Sequence, residues 1–285
     1  MAAVSARLGL IASSLTVLLL GSLAATTAGA TVISGASSGF DATFDASVNG
    51  TPVLSAGPGA QVSGVAPPAY SLSDSMGSFV FSDIIPISDG DILIDYSVDL
   101  STATATSNVD GGAGSRTTNA SGGLSTVFFN IAFDPTGFIP AFDLLTLNAS
   151  VLTADASVTG DFGSLVATGN STIIGGSLFV FGEGTWTINA GPAVNTTLIS
   201  LPGLSLVLNE QTENCSGPVG GTDTCSIDVN VGHLEVNKMI GTHMVGASVV
   251  VGHADASQVA VVPEPTTALL MGMGLALLAG RRRSA

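Results

Sequence analysis

Positive charge is almost absent from this 285-residue chain. Six lysine and arginine residues stand against 21 aspartate and glutamate residues, which gives a formal net charge of −15 at pH 7. Between residues 31 and 262 the only bases are Arg116 and Lys238, so this segment carries a charge of about −18. Phosphate backbones and anionic lipid would repel such a segment, and we expect no nucleic-acid partner. Divalent cations and basic partners are compatible with the charge.

Aromatic residues and cysteines are also scarce. One Trp and two Tyr leave few rings to stack on a sugar, which argues against a carbohydrate enzyme or lectin built on aromatic platforms. The two cysteines, Cys215 and Cys225, lie in a Gly/Pro-rich segment and predict a small disulfide loop formed in an oxidising compartment. A metal site on two cysteines would need further ligands nearby, and the surrounding sequence offers none.

The N-terminal segment has the pattern of a secretory signal peptide. A single arginine, Arg7, precedes an apolar run over residues 8–23, and the small residues Ala28, Gly29 and Ala30 follow. This order predicts export and cleavage after Ala30. The alternative is an uncleaved membrane anchor or a core helix.

The C-terminal segment combines a proline-rich break, a short apolar run and a basic end. As a helix the run would be about 22 Å long, which is short of the hydrocarbon core of a bilayer, about 30 Å thick. We therefore expect a transient hold in the membrane, with the arginines on the cytoplasmic side and the body outside. The segment consists of Pro263, Glu264 and Pro265, the run 266–280, and Arg281, Arg282 and Arg283.

Taken in this order, the C-terminal segment resembles the PEP-CTERM sorting signal of Gram-negative bacteria. The resemblance implies that a membrane-embedded enzyme, exosortase, recognises the region of Pro263, Glu264 and Pro265. It also implies that the enzyme removes the apolar run and the arginines during export to the cell surface or to an extracellular, biofilm-type matrix. The resemblance predicts processing and location and does not predict an activity.

The sequence of the body, residues 31–262, predicts an all-β fold. In the segment 91–100 the apolar residues Ile92, Ile94, Tyr96, Val98 and Leu100 alternate with polar ones, which is typical of a half-buried strand. The same alternation runs through 127–133, 145–151 and 204–208, and glycine-rich turns separate these stretches. We predict a β-sandwich, or alternatively a β-solenoid, as one unit or two subdomains between a signal segment (1–30) and a sorting segment (263–285).

Residues 195–256 are similar to the distal part of choice-of-anchor domains, particularly type P. The similarity rests on Asn209, Glu210 and Gln211 after a strand, on His233 within a strand and on the strand end over 249–256. It implies attachment to the cell surface, and the family offers no agreed enzymatic role.

Two sequence features are considered as catalytic or calcium-binding sites. Gly35, Ser37 and Gly39 match the G-x-S-x-G pattern of serine hydrolases, but that elbow needs a strand before the serine and a helix after it. Here the serine follows the predicted cleavage site and precedes a strand-like segment, so we expect a flexible or turn-forming N-terminus. Acidic pairs such as Asp89 with Asp91 match no calcium-loop spacing, and Asp95 with Asp99 would share a solvated strand face.

The only three histidines, His233, His243 and His253, are spaced ten residues apart and would form a zinc site if they converged. A turn near residue 241 would offset them in a hairpin, and the phase change between Val231 and Leu234 suggests a bulge at residues 232–233.

We therefore predict a non-enzymatic exported protein without a cofactor, structural or adhesive at the cell surface or in the matrix. Exosortase, transiently the membrane, and exopolysaccharide are its expected partners. The alternatives are a secreted metal-dependent enzyme or hydrolase that uses the three histidines, and a calcium-stabilised adhesin.

Overall fold

The computed structural model describes residues 31–136, 140–188, 191–262 and 272–275. These residues form β-strands almost throughout, which confirms the all-β prediction. Short helical structure is described only at 272–275, within the predicted apolar run. The strands are β1 (Thr31–Val48), β2 (Thr51–Ala56), β3 (Gln61–Ala66), β4 (Tyr70–Met76), β5 (Phe79–Ile87), β6 (Gly90–Val98), β7 (Leu100–Ser107), β8 (Arg116–Pro135), β9 (Phe142–Gly160), β10 (Val166–Ile174), β11 (Gly176–Val180), β12 (Gly184–Ile188), β13 (Thr196–Leu201), β14 (Leu204–Val219), β15 (Thr222–Ile240) and β16 (His243–Val261).

The strands pair into two antiparallel sheets. Sheet A has the order β13-β14-β15-β16-β1-β2, with β3 also paired to β1. Sheet B has the order β12-β11-β9-β8-β6-β5, with β10 on β9, β7 on β8 and β4 on β7. The long strands β1, β15 and β16 of sheet A lie against β8 and β9 of sheet B, and one apolar core contains residues from both sheets. The architecture is therefore sandwich-like, and the solenoid alternative is wrong.

The long strands of sheet A change the phase of their alternation halfway along. The change falls at Asn209, Val231, Gly252 and Asp41, which lie opposite one another in the neighbouring strands β14, β15, β16 and β1. Asn209 and Gly252 have positive φ angles of 50° and 59°, a left-handed conformation that turns the strand so that its apolar residues stay towards the core. The phase change predicted after Val231 is confirmed. Both paired strands skip one residue there, so it is not a bulge.

Sheet B carries a second row of this kind, at Asp99, Thr126, Ser150 and Gly175. Thr126 and Gly175 have positive φ angles of 51° and 62°. The row also explains why Leu100, predicted to face inward with Ile92, is 47% exposed, since it lies beyond Asp99 at the start of β7.

The two rows divide the sandwich into halves with different cores. The proximal half, which contains the strand ends Thr31 and Val261, is filled with small residues such as Ala120, Ala154 and Ala254. The distal half is filled with large residues such as Phe44, Phe129, Leu147 and Leu206. Small residues let two sheets approach closely, so their backbones come into contact in the proximal half.

Candidate functional site

The first and last strands of the body lie side by side. Thr31 pairs with Val261, and the backbone N–H of Val262 donates to the carbonyl oxygen of Gly221 at 3.0 Å. The predicted signal segment and the predicted sorting segment are therefore joined to the body at the same end of sheet A. We call this end the attachment pole.

The predicted processing residues themselves lie outside the described residues. They are Ala30, Pro263, Glu264, Pro265, Arg281, Arg282 and Arg283. Within the described part of the chain, no helix combines the length and the apolar character that crossing a bilayer requires.

A disulfide joins Cys215 to Cys225, as the sequence predicted. The two cysteines are direct cross-strand partners in β14 and β15, and Cys225 also pairs with Gln258 of β16, three residues before Val261. The carboxylate of Glu213 lies close to both sulfurs. Among the described residues, these three side chains form the only group of potential metal ligands. Since both sulfurs are bonded to each other, neither is a thiolate that binds a metal.

Ser37 lies inside β1 and not in a flexible or turn-forming segment, so that expectation for residues 35–39 is wrong. Its side chain is 2% exposed and its hydroxyl lies 2.8 Å from the hydroxyl of Tyr70. Residues on both sides of Ser37 continue the strand, and the helix that a nucleophile elbow requires is not there. The G-x-S-x-G match therefore has a structural role in β1.

His233 lies between two carboxylates on the outer face of sheet A. Its Nδ1 is 3.1 Å from Glu210 Oε2, and its Nε2 is 2.9 Å from Glu235 Oε1. The Oε1 of Glu235 also accepts a hydrogen bond from Ser248 at 2.6 Å. Both ring nitrogens are therefore engaged by side chains of the same sheet.

His253 lies three positions away in the register, because it pairs with Asn230 whereas His233 pairs with Val250. Its Nδ1 is 2.8 Å from Asn230 Oδ1, and its ring stacks on Phe40 with the centroids 4.3 Å apart. Asp228 and Asp255 flank the ring at 3.8 and 3.6 Å.

The surroundings of Asp228 make its ionisation less favourable than that of an exposed aspartate. Partial burial raises the pKa of Asp228 above its ordinary value, and the nearby carboxylates of Asp255 and Glu210 raise it further, while His253 acts in the opposite direction.

His243 begins β16 at the distal end, where its Nε2 is 2.9 Å from Ser88 Oγ and its Nδ1 is 3.1 Å from Asn49 Nδ2. The turn at residues 241–242 pairs His243 with Ile240, ten residues along the strand from His253. His243 therefore lies apart from the other two histidines. His233 and His253 are connected only indirectly, because the Nδ2 of Asn230 donates to Glu210 Oε2 at 2.9 Å, and no group of metal-ligand atoms among the described residues contains a histidine.

The acidic residues considered from sequence have local partners. Asp89 Oδ2 accepts the backbone N–H of Thr242 at 3.1 Å, and Asp95 accepts a hydrogen bond from Ser82. Asp99 lies at the phase change of sheet B and is exposed. Asp89 therefore stabilises a turn, and Asp95 makes a hydrogen bond on the face of a strand.

A cavity of about 260 Å³ lies between the sheets, beside Asp41 of the phase-change row in sheet A. Asp41 and Tyr96 are polar residues in its mainly apolar wall. Burial strongly raises the pKa of the Tyr96 hydroxyl, and the charge of Asp41 adds to the rise. Sequence reasoning missed this site, because its residues come from seven strands and a loop and share no motif.

Comparison with known proteins supports the reading of the tail. Residues 261–283 match the PEP-CTERM protein-sorting motif. This motif indicates an exported protein that exosortase sorts, with transient membrane anchoring before processing. A comparison with curated proteins found no match.

Two solved structures align over much of the chain with very low similarity. One is a CymD monoaromatic hydrocarbon channel, at 10% identity and a TM-score of 0.14, covering 84% of this chain and 91% of that chain. The other is a Pseudomonas aeruginosa FadL homologue, at 7% identity and a TM-score of 0.12, covering 80% and 90%. Neither similarity bears on the fold or the function of this chain.

Proposed function

We propose that this protein is a structural or adhesive component of the cell surface or extracellular matrix, delivered there through its PEP-CTERM tail. The sorting motif at residues 261–283 is the observation that carries the proposal. The motif begins in the last residue of β16, so a processing enzyme would act directly beside the folded body. The resemblance of residues 195–256 to a choice-of-anchor domain adds support.

The composition of the body is compatible with an extracellular location. A disulfide persists in oxidising compartments, and an acidic surface keeps copies of the protein apart from one another and from anionic lipid. Exopolysaccharide is the partner we propose for the surface, with hydrogen bonds from the Ser- and Thr-rich strand faces in place of aromatic stacking.

Intact-mass measurement of the protein shed by the native host tests the proposal. We expect a species that begins at Thr31 and lacks the residues from about Thr266 onward. A mature species that runs from Thr31 to Ala285 with its arginines attached would contradict sorting by exosortase and would leave the tail as a short membrane anchor.

The alternative of a metal-dependent enzyme has less support, because His243 lies apart from His233 and His253 and no histidine belongs to a group of metal-ligand atoms among the described residues. A calcium-stabilised adhesin is tested by the melting temperature, which would rise with millimolar calcium by mass action.

A further inference from the structure

The cavity at the edge of the sandwich has the size of a small-molecule site. Its volume is about 260 Å³, and its rim is the exposed loop 57–59. An engineered protein cavity of about 150 Å³ is known to hold benzene. The cavity therefore has room for one ring with a short substituent.

Aromatic rings are concentrated in the wall, although only 5% of the chain is aromatic. Phe44 and Phe129 lie with their centroids 5.4 Å apart, and Phe79 and Tyr96 with theirs 6.2 Å apart. Phe81 completes the aromatic part of the wall. The faces of such rings attract cations through their quadrupoles.

Asp41 gives the wall a carboxylate. Its side chain is 2% exposed, and its Oδ1 accepts the backbone N–H groups of Ala42 at 2.7 Å and Gly59 at 2.9 Å. No hydrogen bond to Oδ2 is found among the described residues. The described residues contain one arginine and one lysine. Arg116 is paired with Asp110, and Lys238 lines a different cavity. A protein cation therefore does not compensate this carboxylate within the described structure.

Tyr96 gives the wall a hydroxyl without a partner. Its oxygen is buried and makes no hydrogen bond to the described residues. A buried polar group in this state costs free energy that a ligand would recover by bonding to it.

We propose that this cavity binds a small organic ammonium ion, a protonated amine attached to one aromatic or alicyclic ring. The ammonium group donates to Asp41 Oδ2 and to the Tyr96 hydroxyl oxygen, and the ring fills the aromatic part of the cavity. A neutral apolar molecule would leave both polar groups unpartnered, and an anion would be repelled by Asp41. The acidic body raises the local concentration of cations around the rim.

Calorimetric titration of the exported protein with three matched probes tests the ligand class. The probes are 2-phenylethylammonium, 2-phenylethanol and phenylacetate, at pH 7 and with enough salt to screen the general surface charge. We expect the ammonium ion to bind at least about tenfold more tightly than the alcohol, and phenylacetate not to bind.

Two variants assign the polar contacts. Asp41→Asn keeps an oxygen for the backbone N–H groups and should abolish the preference for the ammonium ion over the alcohol. Tyr96→Phe should weaken ammonium binding by about fivefold while leaving the melting temperature unchanged or higher, because the hydroxyl has no partner to lose. Asp99→Asn, which removes an exposed charge outside the cavity, is the matched control and should bind like the wild type.

The proposal is overturned if none of the probes binds, if the alcohol binds as well as the ammonium ion, or if Asp99→Asn weakens binding as much as Asp41→Asn. Should Asp41→Asn fail to fold, Gly59→Ala replaces it. A Cβ at residue 59 would lie 2.7 Å from Asp41 Oδ2 and against the flexible end of Met76. Gly59→Ala must then lose ammonium binding, and unchanged binding would contradict the assigned position.

Discussion

Gly122 lies at a close approach of the two sheets. Its Cα faces the backbone of Phe40 and His253, and a Cβ there would overlap both carbonyl oxygens. Backbone on two neighbouring strands cannot move aside as a flexible side chain does. We expect Gly122→Ala to lower the free energy of unfolding by about 2–4 kcal/mol, measured by denaturant titration.

Gly77→Ala is the control for this prediction. Gly77 has open space around its Cα and no positive φ, so alanine there should change stability by less than about 0.5 kcal/mol. Equal stabilities of the two variants would show that the sheets do not touch at Gly122.

Asp228 makes stability depend on pH in a defined direction. Its folded-state pKa is raised, mainly by burial, so the stability that its protonated form contributes is present at low pH. That stability is lost as the pH rises through the raised pKa. Asp228→Asn should therefore stabilise the protein at pH 7, by no more than about 0.5 kcal/mol because half of the side chain is exposed.

The gain from Asp228→Asn should disappear below the ordinary pKa of an aspartate, where the wild-type side chain is protonated in both the folded and the unfolded state. Melting temperatures between pH 3 and pH 8 check this. Asp45→Asn, on an exposed position of β1, serves as the control for general charge relief. A gain for Asp228→Asn that is no larger than the control, or that grows at low pH, would contradict the assignment.

At the scale of elements, the disulfide fastens the β14–β15 hairpin beside the attachment pole. The two cysteines are ten residues apart, so closing the loop stabilises the fold by about 2–3 kcal/mol in the chain-entropy model. The double variant Cys215→Ala with Cys225→Ala should lose this amount in denaturant titration. Thiol labelling of unfolded, unreduced wild-type protein should find no free cysteine, and two labelled thiols would contradict the pairing.

Strands were predictable where a single periodicity runs through them. In β6 the residues Ile92, Ile94 and Val98 are buried as their spacing predicted. The phase change after Val231 was predictable within its own strand. Its alignment with Asn209 and Gly252 in one row was not, because these residues lie far apart in sequence and act together only through strand pairing. The start of β1 was misjudged because Ser and Gly in a buried, closely packed strand resemble a turn.

Some of the candidate sites were predictable from sequence, and others depend on how the strands pair and pack. The sorting motif was predictable from sequence because it is one continuous segment, residues 261–283. The surroundings of the histidines depend on strand register, which one sequence does not give. The cavity with Asp41 and Tyr96 depends in addition on how the two sheets pack.

At the scale of the whole molecule, the tail variants should fail at different steps. Replacing Arg281, Arg282 and Arg283 with alanine removes charges that cost at least several kcal/mol to move through a bilayer. We expect this precursor to pass into the medium uncut or to be mis-sorted, as seen by fractionation and intact mass.

Replacing Pro263, Glu264 and Pro265 with alanine removes the proposed recognition region and keeps the apolar run and the arginines. This precursor should remain in the membrane fraction at full mass after removal of the signal peptide. If both variants are processed like the wild type, the tail does not act as the sorting signal.

The pairing of β1 with β16 means that sheet A can be completed only when the last strand of the body is available. Sheet A joins the first strand of the body to the last, and β16 is held between β15 and β1 over residues 245–261. Until Val261 has crossed the membrane, β1 and β15 expose long unpaired edges that invite pairing with other chains. A tail held transiently in the bilayer would keep each chain separate while β16 pairs with its neighbours. Completion of the sheet thus coincides with delivery of the whole body, and release before that point would free an aggregation-prone intermediate.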